Sequence, residues 1–468
     1  MLNKLKKTLA MILAGTAFMS MAACGQSTSD SVNSSVDGNV TMQTGMFDTK
    51  TYSSGERFVF FSDLPPNANL QALTTYKEAG FTDFNLIPWA AYGAGFNKDA
   101  ENLNSTQFAG ALALLNELDL GVYVRGFGTL DSIQQFDKFD FSKYDAFKGF
   151  YVVDEPARGA VKRIGEEIVP YYNEKYAHTE DAFWHLNLFP SYASESMIGK
   201  PNGNKSSFEC YVDDYVEYTL SKVEGPKSIG VDHYGMRARG KDYFISDTYL
   251  YDLMIVANAA KKTGAHMSNC MQTSSGHTNT RVIQYASELR WQYYTSMAFG
   301  TRRFQAFGYQ DALDINFHCM YGTEPHDLYY FHQEVSAELK KFQDVFLSFD
   351  WEGVDTVLGT ENERGFSSSF DFIEKWTLPS LHGVKEITAT QDTLVGQFDC
   401  DGDKAFMIVN NTDPVFGILD TVTLQFENCN KAMVYRGGKL YKYTFTNNTM
   451  QLPLIGGEGV FVIPVIES

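Results

Sequence analysis

From Phe58 to Phe307 the chain alternates short apolar runs with segments of helical period, eight times over, and few folds tolerate that pattern. The runs are Phe58–Ser62, Phe81–Ile87, Gly121–Arg125, Gly149–Val153, Phe183–Leu188, Ser228–Asp232, His266–Gln272 and Arg303–Phe307. Most carry β-branched or aromatic residues, and Phe150 to Val153 is the clearest run of the kind that forms a strand buried on both faces. Between them, Leu70, Leu73, Tyr76 and Ala79 repeat at helical spacing before Gly80, a helix stop. Leu112, Leu115 and Leu118 do the same, as do Val282, Ala286, Leu289 and Tyr293. Leu328, Phe331, Val335, Leu339, Phe342 and Phe346 form one long stripe after the last strand. Eight strand–helix rounds over a span near the roughly 250 residues of such folds predict a (β/α)8 barrel rather than a doubly wound sheet. No glycine-rich phosphate loop follows the first strand, which argues further against a nucleotide-binding sheet.

Past Asp350 the period changes. Val395–Asp399 and Ala405–Val409 flank the turn pair Asp401-Gly402, and Gly437-Gly438 and Gly456-Gly457 punctuate further alternating runs. An antiparallel β-sandwich is expected over 351–468, after a barrel over 51–350. Asp399, Asp401 and Asp403 have a spacing open to calcium, but a solvated hairpin tip explains them as well. The N-terminus reads as a targeting segment: Lys4, Lys6 and Lys7, then an apolar run from Leu9 to Met21. Met21-Ala22-Ala23-Cys24 resembles a bacterial lipobox, which implies cleavage after residue 23, lipidation of Cys24, and residues 25–50 as a flexible tether. Such a protein is lipid-anchored to the bacterial cell membrane, outside the cytoplasm, and the membrane is not its substrate.

Composition narrows the ligand. The formal net charge of −19 argues against nucleic acid, whose phosphates need clustered Lys and Arg. Beyond Cys24, Cys210, Cys270, Cys319, Cys400 and Cys429 are odd in number and lack CxxC spacing, so neither a zinc site nor a disulfide framework is expected. No cofactor and no metal is implied.

In a parallel barrel the loops after the strands build one mouth, where the chemistry sits. The stretch Lys148-Gly149-Phe150-Tyr151-Val152-Val153-Asp154-Glu155-Pro156 is the most pointed case. A buried strand ends at two carboxylates, and Pro156 stops further ladder pairing. The other strand ends supply Asp63, Trp89 with Tyr92, Arg125, Asn187 with Tyr192, Asp232-His233-Tyr234, Gln272, and Tyr309. Carboxylates and amides take sugar hydroxyls, while rings stack on the apolar faces of sugars, so these residues predict a carbohydrate partner.

The barrel also resembles glycoside hydrolases of clan A, in the style of family 42 and of uncharacterised barrels of bacterial lipoproteins. The stretches that carry the likeness are Gly149 to Pro156, Asn187-Leu188-Phe189-Pro190, Val231-Asp232-His233-Tyr234, and Glu288 to Tyr294 running into Ala298-Phe299-Gly300. The resemblance implies Glu155 as the acid/base, preceded by Asp154 where the clan usually carries Asn. It also implies a nucleophilic Glu at the end of the seventh strand, where this chain has Gln272, and an amide cannot form a glycosyl ester. Asp232 is the expected second carboxylate and Asp63 the reserve. His233 either orients Asp232 or is a satisfied core histidine. Arg125 either serves the substrate or pairs internally with Asp154 and Glu155. Glu288 and Arg290 are expected to be surface or packing charges, and His277 and His318 structural. Two functions follow: hydrolysis of an oligosaccharide or polysaccharide with Glu155 as general acid, or catalytically silent carbohydrate binding.

Overall fold

A computed structural model describes residues 42–87, 105–179, 182–239, 242–274, 279–310, 319–365 and 367–466. The leader with Cys24, most of the tether, Trp89, Tyr92, His277 and His318 lie outside the described residues.

The eight expected strands are present: β1 (Val59–Ser62), β2 (Asp83–Leu86), β3 (Gly121–Arg125), β4 (Phe147–Asp154), β5 (Phe183–Leu188), β6 (Lys227–Val231), β7 (His266–Gln272) and β8 (Thr301–Phe307). They pair in parallel in the order β1-β8-β7-β6-β5-β4-β3-β2. At the β1–β2 seam the Thr82 amide donates to the Phe60 carbonyl, and the Phe60 amide donates to Thr82 Oγ1, both at 2.9 Å. The sheet is thus a near-closed (β/α)8 barrel.

Alternation along the strands assigns each side chain to one wall. Phe60, Val122, Val124, Phe150, Val152, Trp184, Leu186 and Phe304 face the helices and form the large apolar core with them. The opposite parity fills the interior with rings and polar groups. Phe61 packs on Tyr123 (5.8 Å between centroids) and edge-on to His185 (5.4 Å), and Tyr151 lies 4.7 Å from His185. Nearer the N-terminal ends of the strands, the Arg303 guanidinium is sandwiched between Tyr123 and Phe183 at 4.7 and 4.5 Å. Gly149 has φ +119°, and a Cβ there would lie 2.2 Å from the Phe183 carbonyl oxygen, so only glycine lets β4 approach β5. A register shift follows between Tyr151 and Val153, after which Asp154 faces Asn187 across the ladder.

The C-terminal region is two antiparallel sheets. A seven-stranded sheet contains β9 (Asp350–Val357), β11 (Thr393–Cys400), β12 (Asp403–Asn410), β14 (Lys431–Arg436), β15 (Lys439–Phe445) and β17 (Gly459–Pro464). Its seventh member is Met42–Thr44, which pairs with β15. A three-stranded sheet of β10 (Val384–Thr388), β13 (Leu419–Phe426) and β16 (Thr449–Ile455) completes the sandwich. Met42 therefore corrects the tether expectation: its side chain packs on the sandwich core, and Lys50 and Phe47 beyond it engage Asp403 and Lys442. At the β11–β12 turn Asp399 pairs with Lys404 and Asp403 with Lys50, so both carboxylates are held by lysines. The stripe after β8 is two helices, Asp327–Lys340 and Gln343–Phe346.

Barrel and sandwich are joined by a buried charge cluster. Arg281, 1% exposed, gives Asp413 two hydrogen bonds of 2.9 and 3.0 Å and ion-pairs with Glu288 at 3.0 Å. Glu288 in turn accepts from the Gln284 and Tyr285 amides at the start of its helix. Of the two expected roles, surface or packing, Glu288 takes the second, drawn in against the Arg281 guanidinium. Trp291 Nε1 donates to Asn411 Oδ1 at 3.3 Å beside it. Removing Asp413 leaves Arg281 paired with Glu288 but strips both Nη donors of their buried partner. Asp413→Ala is expected to cost about 3–5 kcal/mol in chemical denaturation, against under 1 kcal/mol for the exposed Asp119→Ala.

Candidate active site

The residues at the C-terminal ends of the strands converge as the barrel dictates. Arg125, last residue of β3, lies between two carboxylates: Nη1 donates to Asp63 Oδ1 at 2.8 Å and Nη2 to Asp154 Oδ2 at 2.9 Å. Its guanidinium also stacks 4.5 Å above the Tyr151 ring. Asp63, just past β1, further accepts from Asn85 of β2 at 3.0 Å and from Gln305 of β8. Asp154, ending β4, accepts from the Tyr151 hydroxyl at 2.6 Å and from Asn187 of β5 at 3.2 Å. Six strands, β1 to β5 and β8, are thereby cross-linked at or just past their ends by one polar lattice in the barrel top.

Glu155 follows with φ +47°, in the left-handed region that non-glycine residues occupy at some cost. Its amide donates to the Asn187 carbonyl at 2.9 Å, and Tyr211 donates to the Pro156 carbonyl at 2.6 Å, which together hold the turn. Glu155 makes no salt bridge among the described residues, although it is half-buried. Burial, then the charges of Asp232, Asp154 and Asp63, push its carboxyl up to about 9, with Arg125 opposing. Asp232, just past β6 and 8% exposed, rises to about 7 through burial and then the charge of Asp154. Its Oδ1 has no protein partner among the described residues. Asp63 rises to about 6, by burial and the charge of Asp154. Burial acts on Asp154 too, but Arg125, Tyr151 and Asn187 outweigh it and hold Asp154 below the usual carboxylate range. One carboxylate is therefore kept charged by its cation, while burial and the surrounding carboxylates keep its neighbour Glu155 protonated.

The remaining expectations divide. Tyr192, 46% exposed, stands on the rim after β5. Tyr234 reaches toward Cys270, with 3.9 Å between its hydroxyl and the thiol, and its ring lies 5.5 Å from Phe307. His233 does not orient Asp232. Its Nδ1 pairs with Asp252 at 2.6 Å and its Nε2 with Ser246 at 3.0 Å, so it is the satisfied core histidine. Tyr309 is also displaced from the mouth: 1% exposed, it packs edge-on to Tyr76 and Phe81 at 4.9 and 5.5 Å. Gln272 closes β7, with Nε2 donating to the Arg281 carbonyl at 2.9 Å and its amide donating to Gln292 Oε1 at 2.7 Å. Arg125 is committed internally, to Asp63 and Asp154 rather than to Glu155. Tyr151, Asn85, Gln305 and Cys270 were not singled out from the sequence. All four sit at inward-facing strand positions, where a polar residue within an apolar run is the available signal.

No family model and no curated protein matches this chain. Solved structures do. The family 42 β-galactosidase Gan42B from G. stearothermophilus is 9% identical over 88% of this chain and 99% of its own, with a TM-score of 0.43. An Anoxybacillus α-amylase is 8% identical over 88% and 98%, at 0.42. A family 30 xylanase from Clostridium acetobutylicum is 9% identical over 88% and 98%, at 0.32. These neighbours are glycoside hydrolases; at such scores the chemistry of this site rests on its own residues.

Two measurements check the electrostatics. Tyr151→Phe removes a short hydrogen bond to a charged group and is expected to cost about 1.5–3 kcal/mol and to raise the Asp154 carboxyl. For Glu155 the folded-state value, about 9, exceeds the ordinary 4.5, so its contribution is intact below 4.5 and is lost as pH rises toward 9. Glu155→Gln is therefore expected to match wild type in thermal stability near pH 4 and to exceed it increasingly up to pH 9. The gain at neutral pH is expected on the order of 1 kcal/mol or more. A difference that is flat with pH contradicts this.

Proposed function

We propose that the chain is a glycoside hydrolase cleaving glycosidic bonds of an oligosaccharide or polysaccharide, with Glu155 as general acid and Asp232 as its partner. The observation that carries this reading is the split between the acids of the mouth: Glu155 raised to about 9, Asp232 to about 7, Asp154 held ionised. Glycosidic cleavage asks for that division, one carboxyl protonated for the leaving oxygen and one ionised near neutrality. Glu155, at the end of β4, gives its proton to the departing oxygen. Asp232, two strands away, takes a proton from the attacking water. Burial and the charges of Asp232 and Asp154 keep Glu155 protonated, and Arg125 holds the geometry by pairing with Asp154. Gln272 at the end of β7 closes the ester route there, which favours direct displacement by water and inversion of the anomeric centre.

The same Gln272 supports the second reading, a silent carbohydrate-binding protein that keeps the mouth without turnover. A screen of aryl glycosides and natural glycans separates the two. Under the leading reading Glu155→Gln lowers kcat about 100-fold or more while sugar binding persists. The pH profile is bell-shaped, rising near 7 as Asp232 ionises and falling near 9 as Glu155 does. NMR of the first-formed product shows the inverted anomer. Binding without turnover on any substrate sustains the second reading instead.

Met21 to Cys24 supports placing this activity outside the cytoplasm on a lipid anchor at the bacterial membrane. Incorporation of labelled palmitate into wild type but not into Cys24→Ala is the expected result.

A further inference from the structure

The rim above β5 and β6 holds a cation that the proposed chemistry does not use. Arg237 is the second residue of a strand, Met236–Arg239, that forms a hairpin with Asp242–Ile245 just past Asp232. The hairpin is anchored where it leaves the barrel. Ala238 donates to the Asn279 carbonyl at 2.6 Å, Arg281 to the Met236 carbonyl at 3.2 Å, and Ser246 to the Gly235 carbonyl at 2.8 Å. Arg237 is thereby set against the loop after β5, where its guanidinium lies 4.9 Å from the centre of the Tyr192 ring. Tyr192 is itself fixed, edge-on to His233 at 4.9 Å, with His233 locked by Asp252 and Ser246.

The side chain is half-buried and unneutralised. Its Nη1 is covered and has no hydrogen-bond partner, and no carboxylate forms a salt bridge with it, among the described residues. Other partly or fully buried arginines are treated differently. Arg125, Arg281 and Arg436 are each held by carboxylates, and Arg303 is sealed between two rings deep in the barrel. A desolvated guanidinium without a counter-charge is costly to the fold, so a rim position held this way points to a counter-charge that arrives with the substrate. The need runs both ways. The chain carries a formal charge of −19 and its mouth holds Asp63, Asp154, Glu155 and Asp232, so an acidic ligand is repelled unless a cation meets it. The guanidinium fork matches the paired oxygens of a carboxylate or a sulfate, and stacking on Tyr192 pre-orients it.

We infer that Arg237, braced by Tyr192, forms a subsite for an anionic sugar residue, so that the glycan recognised carries a carboxylate or sulfate group. This rests on the mouth being a carbohydrate site, as proposed above. The phenol of Tyr192, whose ionisation is disfavoured by burial and then by the charge of Asp232, registers Arg237 as the opposing charge, consistent with all three sharing one corner of the mouth.

The test is calorimetric binding by the full mature chain in a Glu155→Gln background, which removes turnover from the measurement. Two matched sets serve as probes: galacturonan oligomers against their methyl esters, and sulfated galactan oligosaccharides against their desulfated forms. In at least one set the acidic member is expected to bind about tenfold or more tightly, with a preference that shrinks as salt rises. The set that shows it identifies the anion. Adding Arg237→Gln is expected to bring acidic and neutral members within about twofold, while Arg237→Lys retains part of the preference. Far-UV dichroism and melting confirm that each variant is folded. No preference in either set, no binding of any acidic probe, or a preference that survives Arg237→Gln overturns the inference. Turnover of a neutral glycan without acid preference would sink this subsite and leave the hydrolase reading standing. Acid-selective binding without turnover of any glycan by wild type would do the reverse.

Discussion

The mouth depends on the Arg125 guanidinium and on its being divided between Asp63 and Asp154. It ties β1 to β3 and β4 across the barrel top, and its planar fork suits that bridging better than a point charge would. The consequence is electrostatic as much as mechanical. With its cation committed inward, the site holds Asp154 charged, and that charge adds to burial in raising Asp232, and to burial and the Asp232 charge in raising Glu155. The proton on Glu155 therefore reflects an arrangement two residues wide in sequence and three strands wide in space. Burial alone would raise every carboxyl in the lattice; the cation decides which is exempt.

The barrel was legible because its strands are buried on both faces, so their apolar runs stand out from the amphipathic helices between them. Asp154 and Glu155 were legible for the same reason, marking where such a run stops. What escaped depended on distant partners. Nothing near His233 announces Asp252, which comes from the helix Tyr249–Thr263 and turns the imidazole away from Asp232. Tyr309 follows a strand as the rim residues do, but its ring is seated edge-on against the stacked pair of Tyr76 and Phe81. Glu288 occupies a helix start that the sequence left open between surface and packing, and only Arg281 placed against it decides for packing. Met42–Thr44 is too short and too polar to signal a strand, and only the open edge of β15 makes it one.

The interior of the barrel adds a layer that patterning misses for a different reason. Gln305, Tyr151 and His185 lie beneath the carboxylates and link them to Ser228 through a chain of hydrogen bonds. Burial holds His185 down near 3, so this layer stays neutral while the one above it carries the charge. A neutral polar floor supplies directed dipoles without adding a counter-ion that would compete with Arg125 for the carboxylates above it.

The cluster of Arg281, Glu288 and Asp413 bears on how such a protein can be inherited. Arg281 lies on the segment that anchors the hairpin of Arg237 and receives the side-chain amide of Gln272, so a buried cation paired with the sandwich is wired to the mouth of the barrel. A lineage that exchanged the C-terminal sheets for unrelated ones would strand that cation unless an acid arrived at the position of Asp413 in the same event. The apolar core of the barrel also runs on into Leu394, Phe398, Met407 and Phe461 of the seven-stranded sheet, so an exchanged sheet would have to match that face as well as the charge.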